Sequence, residues 1–259
     1  MKFILDTNVW IDICRGRLSC DQFTNSHKGR GIEYAWAPPV LIELFVGIAA
    51  NEDRNFARNR LMFQTTESLQ AEILELPTPF MWKLLWNISG RSPSRVTPVH
   101  YRTLVEMLLR TTSYDAFLRQ TQLPDSVWKQ TVNAHEVHQA VLDQELSALN
   151  VLASRGASAS LALACARMFR LSGLLPDPAS IEIKCSAALE FLKASLDKVR
   201  NGANPKKNDR GVYGDFQMFW YLADPQIAFV SKEDFSNEIK FSPQRDRIIS
   251  LTTFVETYC

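Results

Sequence analysis

The sequence predicts an α/β fold with a central parallel sheet, interrupted by a large all-helical insertion. Three observations predict it. Two short apolar runs, Phe3–Leu5 and Ile227–Val230, end abruptly in polar residues, Asp6-Thr7-Asn8 and Ser231-Lys232-Glu233-Asp234. Runs of that length bounded by turn signals are the mark of strands buried on both faces. From about residue 70 to 205 the texture changes: glycine becomes rare, Leu, Ala, Gln and Glu become frequent, and proline acts as punctuation, which reads as helix. After residue 206 the α/β texture returns. The economical arrangement is one sheet-bearing core from residues 1–69 and 206–259, with residues 70–205 as a helical insertion of unassigned role.

Each element has a local reason. The run Phe3–Leu5 is a buried strand, and Val9, Trp10 and Ile11 begin a helix that packs back on it. "IEYAW" (32–36) is a second strand. Pro38 and Pro39 suit the first turn of a helix, where a missing N–H costs nothing. That helix carries Val40, Leu41, Leu44, Phe45 and Ile48 at helical spacing, with the charged Glu43 among them. Within the insertion, helices are expected near 79–88, 99–119, 125–153, 158–171 and 179–199. "NGANPKKNDRG" (201–211) is a turn-rich basic linker. "GDFQMFWYLAD" is an amphipathic helix, "IAFVS" and "RIISL" are strands, and "TTFVETYC" is a last short helix.

The totals narrow the classes of function. With 259 residues and 46% hydrophobic content the chain can bury a substantial core. A formal charge of +1 provides no global field for nucleic acid, so such a partner needs local patches. The five cysteines show no C-x-x-C spacing, which suits a reducing cytoplasm and excludes a disulfide framework or zinc ribbon. The apolar run before Asp6 is too short for a signal peptide, and the Ala/Leu-rich stretch 156–166 is too short for a bilayer span. A soluble, cytoplasmic protein with no membrane partner is expected. His135 and His138 stand i, i+3, whereas the zinc motif H-E-x-x-H needs i, i+4; phosphate-loop and nucleophile-elbow motifs are absent from the sequence.

What remains is a set of acids falling on one edge. Asp6 ends the first strand, Glu43 lies in the helix after the second, Asp215 opens a late helix, and Glu233 and Asp234 follow Ser231 at the end of "IAFV". In open α/β sheets the carboxyl ends of the strands form the ligand crevice. Clustered carboxylates repel one another unless a counter-charge is supplied, and oxygen donors without His or Cys favour a hard ion, Mg2+ or Mn2+. The plainer alternative makes Asp6 and Asp215 helix caps and Glu43 a solvated residue.

In order and placement, "FILDTNVWID", "PPVLIELFVG", "YGDFQMFWYLAD" and "FVSKEDF" resemble the four motifs of PIN-domain (PilT N-terminus) nucleases. The resemblance implies a PIN-like three-layer fold and metal-dependent hydrolysis of phosphodiester bonds, in single-stranded RNA before DNA, by a water activated on Mg2+ or Mn2+. It makes Asp6, Glu43 and Asp215 the first three metal-binding and catalytic acids. Glu233 stands at the fourth position, where the family usually has Asp, and Asp234 is its rival. Ser231 matches the family's hydroxyl residue, and Asn8 the polar residue supporting the first acid. The insertion lies outside the resemblance. A PIN fold that has lost catalysis and binds a protein partner through that insertion is the alternative, and a protein inhibitor is a possible partner of either.

Two basic stretches are candidates for nucleic-acid contact. Lys83, Arg91, Arg95 and Arg102 are interleaved with Trp82, Trp86, His100 and Tyr101, a pattern that serves either phosphate contact with base stacking or a packed core. Lys206, Lys207 and Arg210 precede Asp215 and are either phosphate contacts or a solvated linker.

Overall fold

Lys2–Leu5 forms β1, and Phe3, Ile4 and Leu5 have no accessible surface, as a strand covered on both faces requires. The computed structural model describes residues 1–15, 17–18, 31–50, 52–66, 71–88, 98–121, 158–201 and 216–258. Its strands make a five-stranded parallel sheet in the order β3-β2-β1-β4-β5, with β2 at Glu33–Trp36, β3 at Glu72–Ile73, β4 at Ile227–Ser231 and β5 at Ile248–Ser250. The register sets Ile4 beside both Ala35 and Phe229, and Leu5 beside Val230. From β1 the chain builds outward through β2 and β3, then returns to the opposite side of β1 for β4 and β5. The point of reversal therefore lies between β1 and β4, where the connecting segments diverge and open a crevice at the carboxyl edge.

Helices cover both faces of the sheet, an arrangement compatible with three layers. Side chains alternate along a strand, so Phe3 and Ile4 point to opposite faces. On the Phe3 face lie Phe254 and Tyr258 of the helix Leu251–Tyr258, each with its ring 5.0 Å away and edge-on. On the opposite face Phe229, registered with Ile4, meets Phe219 at 5.8 Å, and Phe219 meets Phe191 of the helix Ser186–Arg200 at 4.8 Å. The helix α1, Thr7–Cys14, stacks Trp10 on Trp36 of β2 at 3.9 Å. Such ring pairs add about 0.5–1.5 kcal/mol each beyond the area they bury.

The helix Pro38–Ala50 runs where the paired prolines predict it. Elsewhere the structure refines the sequence reading. The helix expected near 79–88 is Pro77–Trp86. The single helix expected over 99–119 is two, Pro98–Arg110 and Tyr114–Thr121, because the Thr111 and Ser113 hydroxyls bond to nearby backbone and compete with the helical ladder. The span 179–199 likewise divides into Pro178–Lys184 and Ser186–Arg200 at Cys185. The helix Glu52–Thr66 adds an element that the sequence pattern does not mark: its composition is polar, but Phe56, Asn59, Met62 and Phe63 form one buried face, and the Asn59 side chain donates to the Leu44 carbonyl at 2.9 Å. The outer strand β3 comes from within 70–205, so the sheet draws on that span as well as on the two ends. The expected helix 125–153, with His135 and His138, lies outside the described residues. Among the described residues no helix is long and apolar enough to cross a membrane.

Candidate active site

Asp6 directly follows β1, and its backbone N–H continues the ladder to the Val230 carbonyl of β4 at 2.9 Å. That bond places it opposite Ser231, at the point where the strand order reverses. Its backbone is extended, and its carbonyl accepts from the Val9 and Trp10 N–H groups, so it is the N-cap of α1. The cap and site readings are compatible, because the two carboxylate oxygens are used separately. Oδ1 accepts from the Thr7 N–H at 2.7 Å, and Oδ2 accepts from the Ser231 hydroxyl at 3.0 Å. Ser231 is itself 1% exposed, and its Oγ accepts the Glu233 N–H at 3.1 Å, bending the chain just past β4.

The electrostatics are set by burial. Asp6 is 8% exposed, and loss of water raises its carboxyl to about 6 against the bonds from Ser231 and Thr7 that favour the anion. The negative charges of Glu43 and Glu233 push it the same way, which places both acids within electrostatic range of Asp6. Glu43 is exposed on the helix Pro38–Ala50, yet its Oε2 accepts from the Thr7 hydroxyl at 2.5 Å. The structure thus gathers Asp6, Thr7, Glu43, Ser231 and Glu233 at one edge of the sheet.

The other candidates are placed differently. Asp234 is exposed, its Oδ1 accepts the Ser236 N–H at 2.9 Å, and its carboxyl is held below the usual range by the Ser236 backbone and hydroxyl and by Arg245. It caps its own turn. Asn8 is exposed on the first turn of α1. Arg102 is exposed on the helix Pro98–Arg110, opposite the buried Tyr101 and Leu104. Two of the aromatics interleaved with the first basic stretch belong to the core: Tyr101 is 1% exposed, and the buried Trp82 donates its indole N–H to the Phe169 carbonyl at 2.8 Å. Base stacking on those two rings is thereby ruled out in this fold. Asp215, Arg91, Arg95, Lys206, Lys207 and Arg210 lie outside the described residues.

Two groups near the site carry no functional signature in the sequence. Thr7 is one, and its place between Asp6 and Glu43 in space has no signature beyond a hydroxyl following an acid. The other is Asp12, buried on α1, which pairs with Arg17 at 3.3 Å and with Lys232. The lysine between Ser231 and Glu233 is therefore tied back to α1, and the bend after β4 is anchored through residues 231 and 232. Lys232→Met should lower the free energy of unfolding by about 1–2 kcal/mol, since it leaves the buried carboxylate with the exposed Arg17 alone. Asp12→Asn combined with Lys232→Met should recover much of that loss. Urea unfolding of the three variants measures it, and an unchanged midpoint for Lys232→Met would show that the pair does not hold the bend.

The donor chemistry around Asp6 suits a hard cation, being oxygen only and net negative. Among the described residues no group of three His, Cys, Asp or Glu side chains comes close enough to hold a metal ion. No protein-family model matches the chain, and neither a curated protein nor a solved structure does.

Proposed function

We propose that this chain is a metal-dependent nuclease with a PIN-like fold, which hydrolyses phosphodiester bonds in single-stranded RNA. One observation carries the reading: Asp6 is buried at the strand-reversal point, held by Ser231 and Thr7, with Glu43 and Glu233 adding negative charge close enough to act on it. A site built to keep a carboxylate out of water beside two others favours binding of positive charge. Asp6 and Glu43, with Asp215 by resemblance to the family motif, would hold Mg2+ or Mn2+, and Glu233 would face the ion. When bound, such an ion neutralises these acids, lowers the pKa of water to make a nucleophile, and offsets charge building on a phosphate.

The chain's own residues have separate tasks in this reading. Ser231 fixes the Asp6 carboxylate plane by donating to Oδ2, so the ligand oxygen does not rotate away. Thr7 fixes Oδ1 from the other side. Glu233, exposed and within electrostatic range of Asp6, would orient a water or accept its proton. No side-chain nucleophile is required.

The test is thermal unfolding with and without Mn2+ in otherwise metal-free buffer. A ligand that binds only the folded chain stabilises it by about 2.7 kcal/mol at a hundredfold excess over its Kd. The nuclease reading expects the corresponding rise in Tm, together with Mn2+-dependent cleavage of a labelled single-stranded RNA. A catalytically degenerate interaction module expects neither.

Substrate grip gives a second check. Replacing Lys206, Lys207 and Arg210 together by Gln should weaken RNA binding and flatten the slope of log K against log salt by about 2, as three lost contacts to a single strand would require. An unchanged slope assigns the phosphate contacts elsewhere, with Arg91, Arg95 and Arg102 next in line.

A further inference from the structure

Glu43 is an exposed glutamate close enough to the buried carboxylate of Asp6 for their like charges to interact. A side chain with three rotatable bonds in that position gains both entropy and hydration by swinging into solvent. In the structure it does not. Its Oε2 accepts from the Thr7 hydroxyl at 2.5 Å, while the Thr7 backbone N–H donates to Asp6 Oδ1 at 2.7 Å. One buried residue therefore holds a carboxylate with each of its two donors, and it links helices that start from neighbouring strands, β1 and β2. Thr7 is free to do this because it opens α1: the carbonyls three and four residues back, to which a mid-helix threonine bonds, belong here to β1.

We propose that Thr7 is a positioning residue for the acidic site, its hydroxyl holding the Glu43 carboxylate beside Asp6 so that both present oxygens to the same divalent cation. The inference rests on the metal-dependent reading above. Thr7 touches both carboxylates, Asp6 through its backbone N–H and Glu43 through its hydroxyl, so loss of the hydroxyl frees Glu43 alone. Serine keeps the hydroxyl and meets the requirement; valine keeps the shape and fails it.

Isothermal titration of Mn2+ into the full chain tests this without a substrate. Thr7→Val should weaken Mn2+ binding by about 10–100-fold, the usual cost of losing a group that orients a ligand, and Thr7→Ser should restore most of it. Thr7→Ala serves as a second hydroxyl-free variant should valine disturb the first turn. Because Thr7 acts through Glu43, adding Thr7→Val to Glu43→Gln should cost little further affinity. If Thr7→Val binds Mn2+ as tightly as the wild type, or if its effect adds in full to that of Glu43→Gln, the positioning role is overturned and the nuclease reading stands. If the wild-type chain itself fails to bind Mn2+, the metal-dependent reading falls and this inference with it.

Discussion

Asp6→Asn is expected to make the chain more stable and inactive at the same time. Burial raises the Asp6 carboxyl from 3.8 to about 6, so the ionised side chain costs the folded state free energy that the unfolded state does not carry. The sign follows from proton uptake. Between about pH 4 and 6 the folded chain binds more protons than the unfolded one, so stability falls as pH rises through that window, and the full cost is present above it. At pH 7 in chelator, Asp6→Asn should therefore gain about 2 kcal/mol, reduced where the amide meets a donor, and the gain should vanish near pH 4. Under the proposed nuclease reading cleavage should fall by more than about 100-fold, since the charge of a metal ligand would be removed while the shape is kept. Urea unfolding at the two pH values and a cleavage assay measure both sides. A variant that is less stable than wild type at pH 7, or one that still cleaves, would show that Asp6 serves only as a cap.

The second large effect separates two neighbours. Glu233→Gln should depress Mn2+-dependent cleavage by about 10–100-fold, whereas Asp234→Asn should leave it near wild type. The reason is the bend after β4. Ser231 Oγ accepts the Glu233 N–H, and Glu233 lies close enough to Asp6 for its charge to raise that carboxyl. Asp234 instead accepts the Ser236 N–H beside Arg245, a turn that Asn closes equally well. Matched, folded variants ranked the other way would mean that Asp234 reaches the crevice once substrate is present.

Much of this geometry could be read from residues. The runs Phe3–Leu5 and Ile227–Val230 are most of β1 and of β4, and the acid and hydroxyl that follow them are hydrogen-bonded neighbours because both strands end on one edge. The paired prolines mark the helix carrying Glu43. What escaped the sequence depends on contacts between distant segments. Helix Glu52–Thr66 is polar in composition, and its buried face is visible only against the Leu44 carbonyl and the rings of Trp36 and Phe45. β3 has two residues, too few for any alternation to register. The Thr7 hydroxyl finds an acid that is 36 positions away, and Asp12 finds a lysine at the far end of the chain. A spacing rule along one element cannot report such pairs.

The most direct test is a crystal of the wild-type chain soaked in Mn2+ and examined by anomalous scattering. The account predicts a peak bound directly by the Asp6 carboxylate, with Glu43 among its ligands and Glu233 facing it, and loss of that peak in Asp6→Asn. Soaked crystals with no manganese at Asp6, from a preparation that shows no Mn2+-dependent rise in Tm, would contradict it.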